Sequence, residues 1–259
     1  MKKMLFVLTI ISLAFVFGCG NNEASTEAGT EEDKAGSGNK LVMGTSADYP
    51  PFEYHETSNG NDEIVGFDID LAKAIAKEMG RELEIQDIGF SGLIPALQSK
   101  RVDIVLAGMN PTDERKQSVD FSDKYLTTEF AAVYMKEKPV TQFADLKGKK
   151  IGVQLGTTQE QAAKDAGLET VSLDKYPDLI QELKSGRIDA VLVEDTVAAE
   201  SIGSDTALDY KIVPEIAGLD IAVALPKDSE LTGEINEAIK TLIDNGEVDK
   251  LKDKWLKLK

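Results

Sequence analysis

The stretch LIPALQSKRVDIVLA, residues 93–107, returns 86 positions later as LIQELKSGRIDAVLV, residues 179–193. Eight of the fifteen aligned positions hold the same residue in both copies. Each copy opens with apolar residues at helical spacing and ends in an aliphatic run, a pattern that predicts an amphipathic helix leading into a buried strand. Any such unit produces part of this likeness, but the number of identities favours one unit that occurs once in each half of the chain.

The chain from residue 40 onward alternates short apolar runs with segments of helical period. The pattern predicts strands at residues 40–45, 81–86, 102–107, 150–154, 170–173 and 188–193. It predicts helices at residues 68–79, 92–99, 158–166 and 178–184. The first helix opens with Asp68 and Asp70, where the helix dipole favours acids. This alternation predicts parallel sheets with helices on both faces and, together with the repeat, two α/β lobes of similar build.

The amino-terminal 18 residues have the pattern of a secretory signal peptide. A basic start is followed by fourteen mostly apolar residues, 4–17, a run too short to span a bilayer. The sequence Val16-Phe17-Gly18-Cys19 then resembles a bacterial lipobox, although Phe17 is bulkier than the residue usual there. This resemblance implies that Cys19 becomes the lipidated first residue of the mature protein. Cys19 is the only cysteine, so the chain cannot form an internal disulfide or a thiol-based site.

Residues 19–39 are expected to be the lipidated cysteine and a flexible tether. Residues 20–39 contain no Val, Ile, Leu, Met, Phe, Tyr or Trp and are rich in Gly, Ser, Thr, Asn and Glu. Such a segment cannot bury enough apolar surface to offset the entropy lost on ordering. A lipid on a flexible tether implies a soluble body that is anchored to a cell membrane on its extracytoplasmic face.

The charge balance of the chain is strongly acidic, with a formal net charge of −17 at pH 7. Negative charge disfavours nucleic acids and anionic lipid surfaces as partners, because both carry negative charge themselves. We therefore expect no nucleic-acid partner.

Each copy of the repeat is followed by residues suited to binding a small zwitterion. The first copy leads into AGMNPTDER, residues 107–115, which ends in Arg115, and the second leads into Glu194 and Asp195. Ligands of open α/β sheets bind beyond the carboxyl ends of the strands. A guanidinium matches a carboxylate with two parallel hydrogen bonds, and a carboxylate can hold an ammonium. Alternatively, Arg115 is a solvated residue at a helix start and Glu194 a plain acid at a helix amino terminus.

Five further stretches resemble the bacterial solute-binding proteins that serve polar amino-acid ABC importers. They are GTSADYPPFEY (44–54), VGFDIDLAKAIAKEMG (65–80), FSGLIPALQSKRVDIVLAGM (90–109), PTDERKQSVDFSDKY (111–125) and IGVQLGTTQE (151–160). The resemblance implies a two-lobe periplasmic-binding-protein fold of type II, with the ligand cleft between lobes that are joined by two crossings of the chain. Lobe 1 would comprise residues 40–130 plus 222–259, and lobe 2 residues 131–221. It also implies a lipoprotein that acts as a monomer with a membrane permease.

The resemblance assigns ligand-backbone contacts to five residues. Arg115 would clamp the α-carboxylate of the ligand. Thr157 and Thr158 would offer backbone N–H groups and a hydroxyl at a helix start, where anions bind favourably. Asn110 would donate from its side chain, and Gly108 would turn its carbonyl toward the ammonium.

The resemblance also assigns the ammonium site and the walls of the pocket. Glu194 would hold the ammonium, with Asp195 as the alternative if the alignment slips by one residue. Tyr49 and Phe90 would be aromatic walls around the ligand side chain, although Phe90 could instead be a core residue. Ser46 and Gln154 would contribute neutral polar groups.

The favoured ligand is arginine, followed by lysine or another basic amino acid, with glutamine or cystine as alternatives. Stretches 44–49, 152–160 and 193–198 are closest to arginine binders, and aromatic walls suit a guanidinium by cation–π contact. Ser46, however, stands where some basic-amino-acid binders carry an acid.

An enzyme on the same fold is the alternative from another class, with a Glu or Asp of the cleft as the general acid of an extracytoplasmic dehydratase. The only histidine, His55, lies in the polar stretch HETSNGND, residues 55–62. The sequence has no HExxH, no P-loop and no GxGxxG after a predicted strand. We therefore expect a protein that is not an enzyme and needs no cofactor or metal. A ligand sensor domain is a further alternative.

Overall fold

The structure is a computed structural model that describes residues 39–58 and 60–256. The predicted signal peptide at residues 1–18, Cys19 and the tether up to residue 38 lie outside the described residues. Within the described ranges, no helix is both long enough and apolar enough to cross a membrane.

Strands and helices alternate through most of the described chain. The strands are β1 (Lys40–Thr45), β2 (Asp48–Tyr49), β3 (Glu53–Ser58), β4 (Asn61–Val65), β5 (Glu82–Asp87), β6 (Ile104–Val105), β7 (Val119–Thr128), β8 (Phe130–Met135), β9 (Lys150–Gln154), β10 (Glu169–Leu173), β11 (Ala190–Glu194), β12 (Leu208–Ile212) and β13 (Leu219–Pro226). The α-helices are α1 (Phe67–Glu78), α2 (Leu93–Gln98), α3 (Thr158–Asp165), α4 (Tyr176–Lys184), α5 (Asp195–Ser204), α6 (Leu231–Asp244) and α7 (Glu247–Trp255).

Two five-stranded sheets organise these elements. The first sheet has the strand order β5-β1-β6-β13-β7 and the second β10-β9-β11-β8-β12, while β2, β3 and β4 form a small antiparallel sheet. We call the parts of the molecule that are built on the two large sheets the first and the second lobe. The residue boundaries predicted for the lobes stay a prediction.

Both large sheets are mixed, so the prediction of parallel sheets was wrong for two strands. β1 is parallel to β5 and β6, and β9 is parallel to β10 and β11. By contrast, β13 is antiparallel to β6 and β7, and β8 is antiparallel to β11 and β12. Parallel neighbours need a crossover, usually a helix. β8 follows β7 almost directly, so the chain enters the second sheet without a crossover helix. Hydrophobic periodicity does not reveal this change of sheet.

The two copies of the repeat occupy the same place in the two sheets. α2 leads into β6 and α4 leads into β11, and each of these strands is the central one of its sheet. Asp103 accepts a hydrogen bond from the backbone N–H of Val42 at 2.8 Å, and Asp189 accepts one from the N–H of Lys150 at 2.9 Å. The backbone N–H of each aspartate returns to the carbonyl of the same partner at 2.8 Å. The shared aspartate therefore fastens each copy to the neighbouring strand.

The turn between helix and strand also matches between the copies, but at different conformational cost. Lys100 has a φ of 55° and its counterpart Gly186 a φ of 74°, both in the left-handed region. Glycine adopts this region freely, whereas another L-residue is disfavoured there by about 1–2 kcal/mol. The first copy therefore contains backbone strain that the second avoids.

The strand predicted at residues 102–107 forms a ladder over Ile104–Val105 only. The chain turns soon afterwards, because Gly108 takes a φ of 54°. This turn brings residues 107–110 to the carboxyl edge of the first sheet, where the cleft lies. The other predicted helices and strands agree with the structure to within about two residues, which is the usual uncertainty of element ends.

Helices α6 and α7 pack with α1 over the first sheet. Asp70 of α1 accepts hydrogen bonds from Lys254 Nζ at 2.7 Å and from the indole N–H of Trp255 at 2.9 Å. Fully buried aliphatic side chains fill the space beneath these helices: Leu41, Met43, Ile69, Leu71, Ile75, Ile104 and Ile235. The carboxy-terminal helices thus complete the first lobe, to which the chain returns through β13.

Candidate functional site

A narrow cavity lies where the two lobes meet. Eight of the ten predicted binding residues line it: Ser46, Tyr49, Phe90, Gly108, Asn110, Gln154, Thr157 and Glu194. Three residues that sequence reasoning did not identify also line it: Glu53, Ala107 and Gln159. The other two predicted residues, Arg115 and Thr158, line a wider and more open groove that adjoins the cavity at Thr157.

Direct hydrogen bonds hold the lobes together around this cavity. The Tyr49 hydroxyl of the first lobe donates to the Glu194 carboxylate of the second. The Thr158 hydroxyl of the second lobe donates to Asn110 Oδ1 of the first at 2.8 Å. The structure therefore shows the lobes closed on each other, with the predicted residues brought together from both sheets.

Arg115 bridges the lobes at one end of the cavity. Its guanidinium donates through Nη1 to the carbonyl of Asn110 at 2.9 Å and through Nη2 to the carbonyl of Gly156 at 3.0 Å. The carbon of the guanidinium lies 5.4 Å from the centre of the Phe90 ring. Burial lowers the pKa of Arg115 to about 10, which leaves it cationic at neutral pH. A guanidinium has five N–H donors, so these two bonds leave others for a ligand.

The amino terminus of α3 lies beside Arg115. The Thr157 hydroxyl donates to the Gln154 carbonyl at 2.7 Å and accepts from the Glu160 N–H at 3.2 Å, so it serves as the helix cap. Among the described residues, no acceptor reaches the backbone N–H of Thr158 or Gln159. Unpartnered N–H groups at a helix start carry partial positive charge and bind anions.

Two carboxyl side chains are buried in the wall of the cavity. Glu53 has no exposed surface, and neither of its oxygens has a hydrogen-bond partner among the described residues. Burial and the nearby Asp68 hold the pKa of Glu53 well above its usual value. Burial also raises the pKa of Glu194, although the hydrogen bond from Tyr49 opposes this shift. No basic side chain of the described chain lines the cavity, and Arg115 is the only one that lines the adjoining groove.

A third buried carboxyl, Asp68, shapes the backbone of the cavity from behind. Its oxygens accept hydrogen bonds from the Gly108 N–H and from the Tyr125 hydroxyl, both at 2.8 Å. Burial raises the pKa of Asp68 to about 7, and the two hydrogen bonds oppose the rise. In a trans peptide the N–H and C=O point in opposite directions. The Ala107 carbonyl is therefore directed away from Asp68.

The two aromatic residues that line the cavity also pack against other parts of the protein. Tyr49 is almost fully buried and meets Tyr176 of α4 edge to face, with 5.3 Å between ring centres. Phe90 packs at the edge of the apolar cluster around α2 and also faces Arg115. The predicted alternatives for Phe90, cavity wall and core residue, therefore both describe part of its environment.

The neutral polar residues of the cavity already have protein partners. Ser46 Oγ donates to Asp48 Oδ1 at 3.2 Å. Gln154 Nε2 donates to the Asp174 carbonyl at 3.0 Å. Both side chains are therefore oriented before a ligand arrives. Asp48 is a fourth carboxyl group close to the cavity, and burial raises its pKa.

Sequence reasoning missed Glu53 and Tyr176 for identifiable reasons. Glu53 lies in the quoted stretch GTSADYPPFEY, but only the β2–β3 hairpin turns it inward, and that hairpin was not predicted. Tyr176 lies at the start of α4 and gives no signal apart from its size. Gln159 follows directly on the predicted pair Thr157 and Thr158, so a wider reading of the helix start would have included it.

Comparisons with known proteins agree with this architecture. Residues 41–258 match the model of the family described as bacterial extracellular solute-binding proteins, family 3. The arginine-binding extracellular protein ArtP of Bacillus subtilis (strain 168) is 45% identical over 262 residues, covering 98% of each chain. Two solved structures are also similar.

The first of these structures is the substrate-binding protein of an amino acid ABC transporter, with 49% identity, a TM-score of 0.81 and coverage of 85% of this chain and 100% of the other. The second is the arginine-, lysine-, histidine-binding protein ArtJ of Geobacillus stearothermophilus, with 37% identity, a TM-score of 0.80 and coverage of 85% and 96%. The matched proteins are solute-binding proteins and not enzymes, which supports the expectation made from the sequence. The chain belongs to the bacterial extracellular solute-binding proteins of family 3.

Proposed function

We propose that this protein binds a cationic L-amino acid, with arginine favoured, and delivers it to the membrane permease of an ABC importer. The observation that carries the proposal is the charge of the cavity. The adjoining groove holds a single guanidinium, Arg115, which hydrogen-bonds to the carbonyl of the cavity residue Asn110, while the cavity wall contains the buried carboxyl groups of Glu53 and Glu194. A ligand with one carboxylate and two cationic groups complements this arrangement.

The α-carboxylate of the ligand would bind at the Arg115 end. The N–H donors that Arg115 does not use for Asn110 and Gly156 can form charge-assisted hydrogen bonds with it. The unpartnered N–H groups of Thr158 and Gln159 at the start of α3 supply further donors. The roles of Thr157 and Asn110 are then to hold this end of the cavity in shape.

The α-ammonium would bind between Glu194 and the turn at Ala107 and Gly108. Among the described residues, no donor reaches the carbonyl oxygens of Ala107 and Gly108, which both line the cavity. Burial raises the pKa of Glu194, and a bound ammonium group would stabilise its carboxylate form. Asp195 is only partly buried and accepts from the N–H of Thr196, so Glu194 is the better candidate.

The ligand side chain would extend along Tyr49 toward Glu53. A buried carboxyl without any partner is costly, and a guanidinium that forms two hydrogen bonds with it removes this cost. Glutamine or cystine would leave Glu53 without a countercharge, which favours arginine or lysine over these alternatives. Two of the compared relatives carry names that include arginine, and one of them also includes lysine and histidine.

Closure of the lobes is part of the proposed mechanism. Micromolar binding needs about −8 kcal/mol, which for a ligand of roughly ten heavy atoms is near the limit reached by small, fully enclosed ligands. Charge-assisted hydrogen bonds supply about 1.5–3 kcal/mol each only where water is excluded. The closed form would then be the state that the permease recognises. The lobe boundaries 40–130 plus 222–259 and 131–221 belong to the same proposal.

We further propose that the protein is a monomeric lipoprotein anchored through Cys19 after removal of residues 1–18. The support is the sequence pattern of residues 1–39, together with a family whose members act outside the cytoplasm. Metabolic labelling with a radioactive fatty acid tests the anchor. The chain should take up the label, and Cys19→Ser should abolish uptake; labelling of the Cys19→Ser chain would contradict the assignment.

Calorimetric titration of the chain from Lys40 to Lys259 with the twenty amino acids, ornithine and cystine tests the function. Unfolding and refolding beforehand removes any ligand carried through purification. We expect one-to-one binding of arginine that is lost in Arg115→Ala. Tight binding of a neutral amino acid in preference to arginine would refute the cationic assignment, and no binding of any of these compounds would refute amino-acid binding.

A further inference from the structure

Glu160, at the start of α3, uses its two carboxylate oxygens for different purposes. Oε1 accepts hydrogen bonds from Lys164 Nζ and Ser172 Oγ, both at 2.7 Å. Oε2 accepts a hydrogen bond from the backbone N–H of Gly156 at 2.8 Å. The side chain is almost fully buried although it belongs to a polar helix. One oxygen is thus held inside the second lobe while the other is directed at the turn before α3.

This arrangement differs from an ordinary helix cap. In a capping box the acid at the third helical position binds the N–H of the capping residue itself. Here the capping residue is Thr157, but Glu160 binds the N–H of Gly156, one residue earlier. The bond therefore reaches beyond the helix and fixes the turn that connects β9 to α3.

That turn contacts the first lobe beside the cavity. The Gly156 carbonyl accepts from Arg115 Nη2 at 3.0 Å. A Cβ placed on Gly156 would lie 3.7 Å from Ser91, next to the Phe90 ring that faces Arg115. Gly156 also has a φ of 78°, in the left-handed region that favours glycine. Glycine has many accessible backbone conformations, and the hydrogen bond from the Gly156 N–H to Glu160 favours one of them.

We propose that Glu160 is a positioning residue for lobe closure, because it fixes the Gly156 carbonyl where the Arg115 guanidinium docks on the second lobe. Glu160 does not line the narrow cavity, although it lines the wider groove, and it is linked to Arg115 through Gly156. When the Oε2 bond is absent, the turn keeps only the hydrogen bonds of Leu155 and Thr157, and the Gly156 carbonyl is less well preorganised as an acceptor for the guanidinium. The consequence for the ligand rests on the proposed function, since Arg115 is the proposed carboxylate clamp.

Two variants separate this role from a general effect on the helix. Glu160→Ala removes both sets of bonds, whereas Lys164→Ala removes the ion pair at Oε1 and leaves the Oε2 bond to Gly156. Lys164 is half exposed and a surface ion pair of this kind contributes little. Glu160→Gln can still accept from the Gly156 N–H through its amide oxygen. The proposal requires that Glu160→Ala be impaired and that the other two remain close to the wild type.

The first readout is the dissociation rate of arginine from the full chain, measured by stopped flow. We expect Glu160→Ala to raise this rate about tenfold with little change in the association rate, the size of effect expected for one charged hydrogen bond. Lys164→Ala and Glu160→Gln should stay within about threefold of the wild type. In a double-mutant cycle with Arg115→Lys, the effects of the two substitutions should not add, because they act on one contact.

The second readout needs no ligand. Fluorophores at Lys77→Cys in α1 and Lys211→Cys in β12, both exposed, report the distance between the lobes in a Cys19→Ser background. Glu160→Ala should lower the fraction of closed molecules, and Lys164→Ala should not. An unchanged closed fraction, additive effects in the cycle, or equal damage from Lys164→Ala would overturn the proposal. If arginine fails to bind the wild type, the proposed function fails, while the closed fraction still decides the role of Glu160.

Discussion

The substitution Glu53→Gln examines the basis of selectivity for a cationic side chain. Glu53 is fully buried in the cavity wall, and in the described structure both of its oxygens lack partners. Glutamine has the same shape, but its side chain is neutral and cannot form a charged pair with a guanidinium. The substitution therefore removes one charge while leaving the cavity volume unchanged.

The expected magnitude follows from the contacts that a guanidinium would make with Glu53. Hydrogen bonds to a charged group contribute about 1.5–3 kcal/mol, and each 1.4 kcal/mol corresponds to a factor of ten in affinity. We expect Glu53→Gln to weaken arginine binding about 10- to 100-fold. Citrulline, which carries a neutral urea in place of the guanidinium, should bind the variant at least as well as it binds the wild type. The free energy of unfolding of the empty protein should not fall, because a partnerless buried carboxyl is replaced by an amide.

Isothermal titration with arginine and with citrulline measures both effects on the wild type and the variant. Glu56→Gln is the matched control, since Glu56 lies on the same strand but is exposed. This control should bind both ligands as the wild type does. Unchanged arginine affinity in Glu53→Gln, or an equal loss for arginine and citrulline, would refute the assignment of Glu53 to the ligand cation.

Three other predictions follow from the same structure. Arg115→Lys should weaken arginine binding about 10- to 100-fold by titration, because an ammonium cannot reproduce the bridging geometry of a guanidinium; an affinity equal to that of the wild type would contradict the clamp. The pKa of Asp68 is raised to about 7 in the folded chain, so the folded state holds a proton that the unfolded state releases near pH 4. Chemical denaturation should therefore show the stability of the empty protein falling between about pH 4 and 7, and Asp68→Asn should reduce this slope; equal slopes would contradict it. Lys100→Gly should raise the melting temperature by about 1–3 °C through relief of its left-handed backbone, and Gly186→Lys should lower it by a similar amount; changes of the opposite sign would refute the strain argument.

Much of the fold was accessible from the sequence because its signal is local. The repeat at residues 93–107 and 179–193 identified the central helix-to-strand unit of each lobe, and Asp103 and Asp189 fasten these units in the same way. The antiparallel strands β8 and β13 were not accessible. Their direction depends on how the chain passes between sheets, which hydrophobic periodicity does not encode.

The candidate site was predictable where residues lie directly after a strand of the repeat. Arg115 and Glu194 were found in this way, and the structure brings both to the junction of the lobes. Glu53 was missed because an acid in a turn-rich stretch is ordinarily exposed. Its burial depends on the β2–β3 hairpin, which the sequence pattern did not predict. The link between Tyr49 and Glu194 was also out of reach, because it joins residues 145 positions apart.

A crystal structure of the chain grown with arginine tests the central claim most directly. We predict one arginine between the closed lobes, with its α-carboxylate on Arg115 and the start of α3. Its guanidinium should lie within hydrogen-bond distance of Glu53, and its ammonium near Glu194 and the Ala107–Gly108 turn. Arginine bound in the reverse orientation, or bound in the wider groove without contact to Glu53, would refute the proposed binding mode.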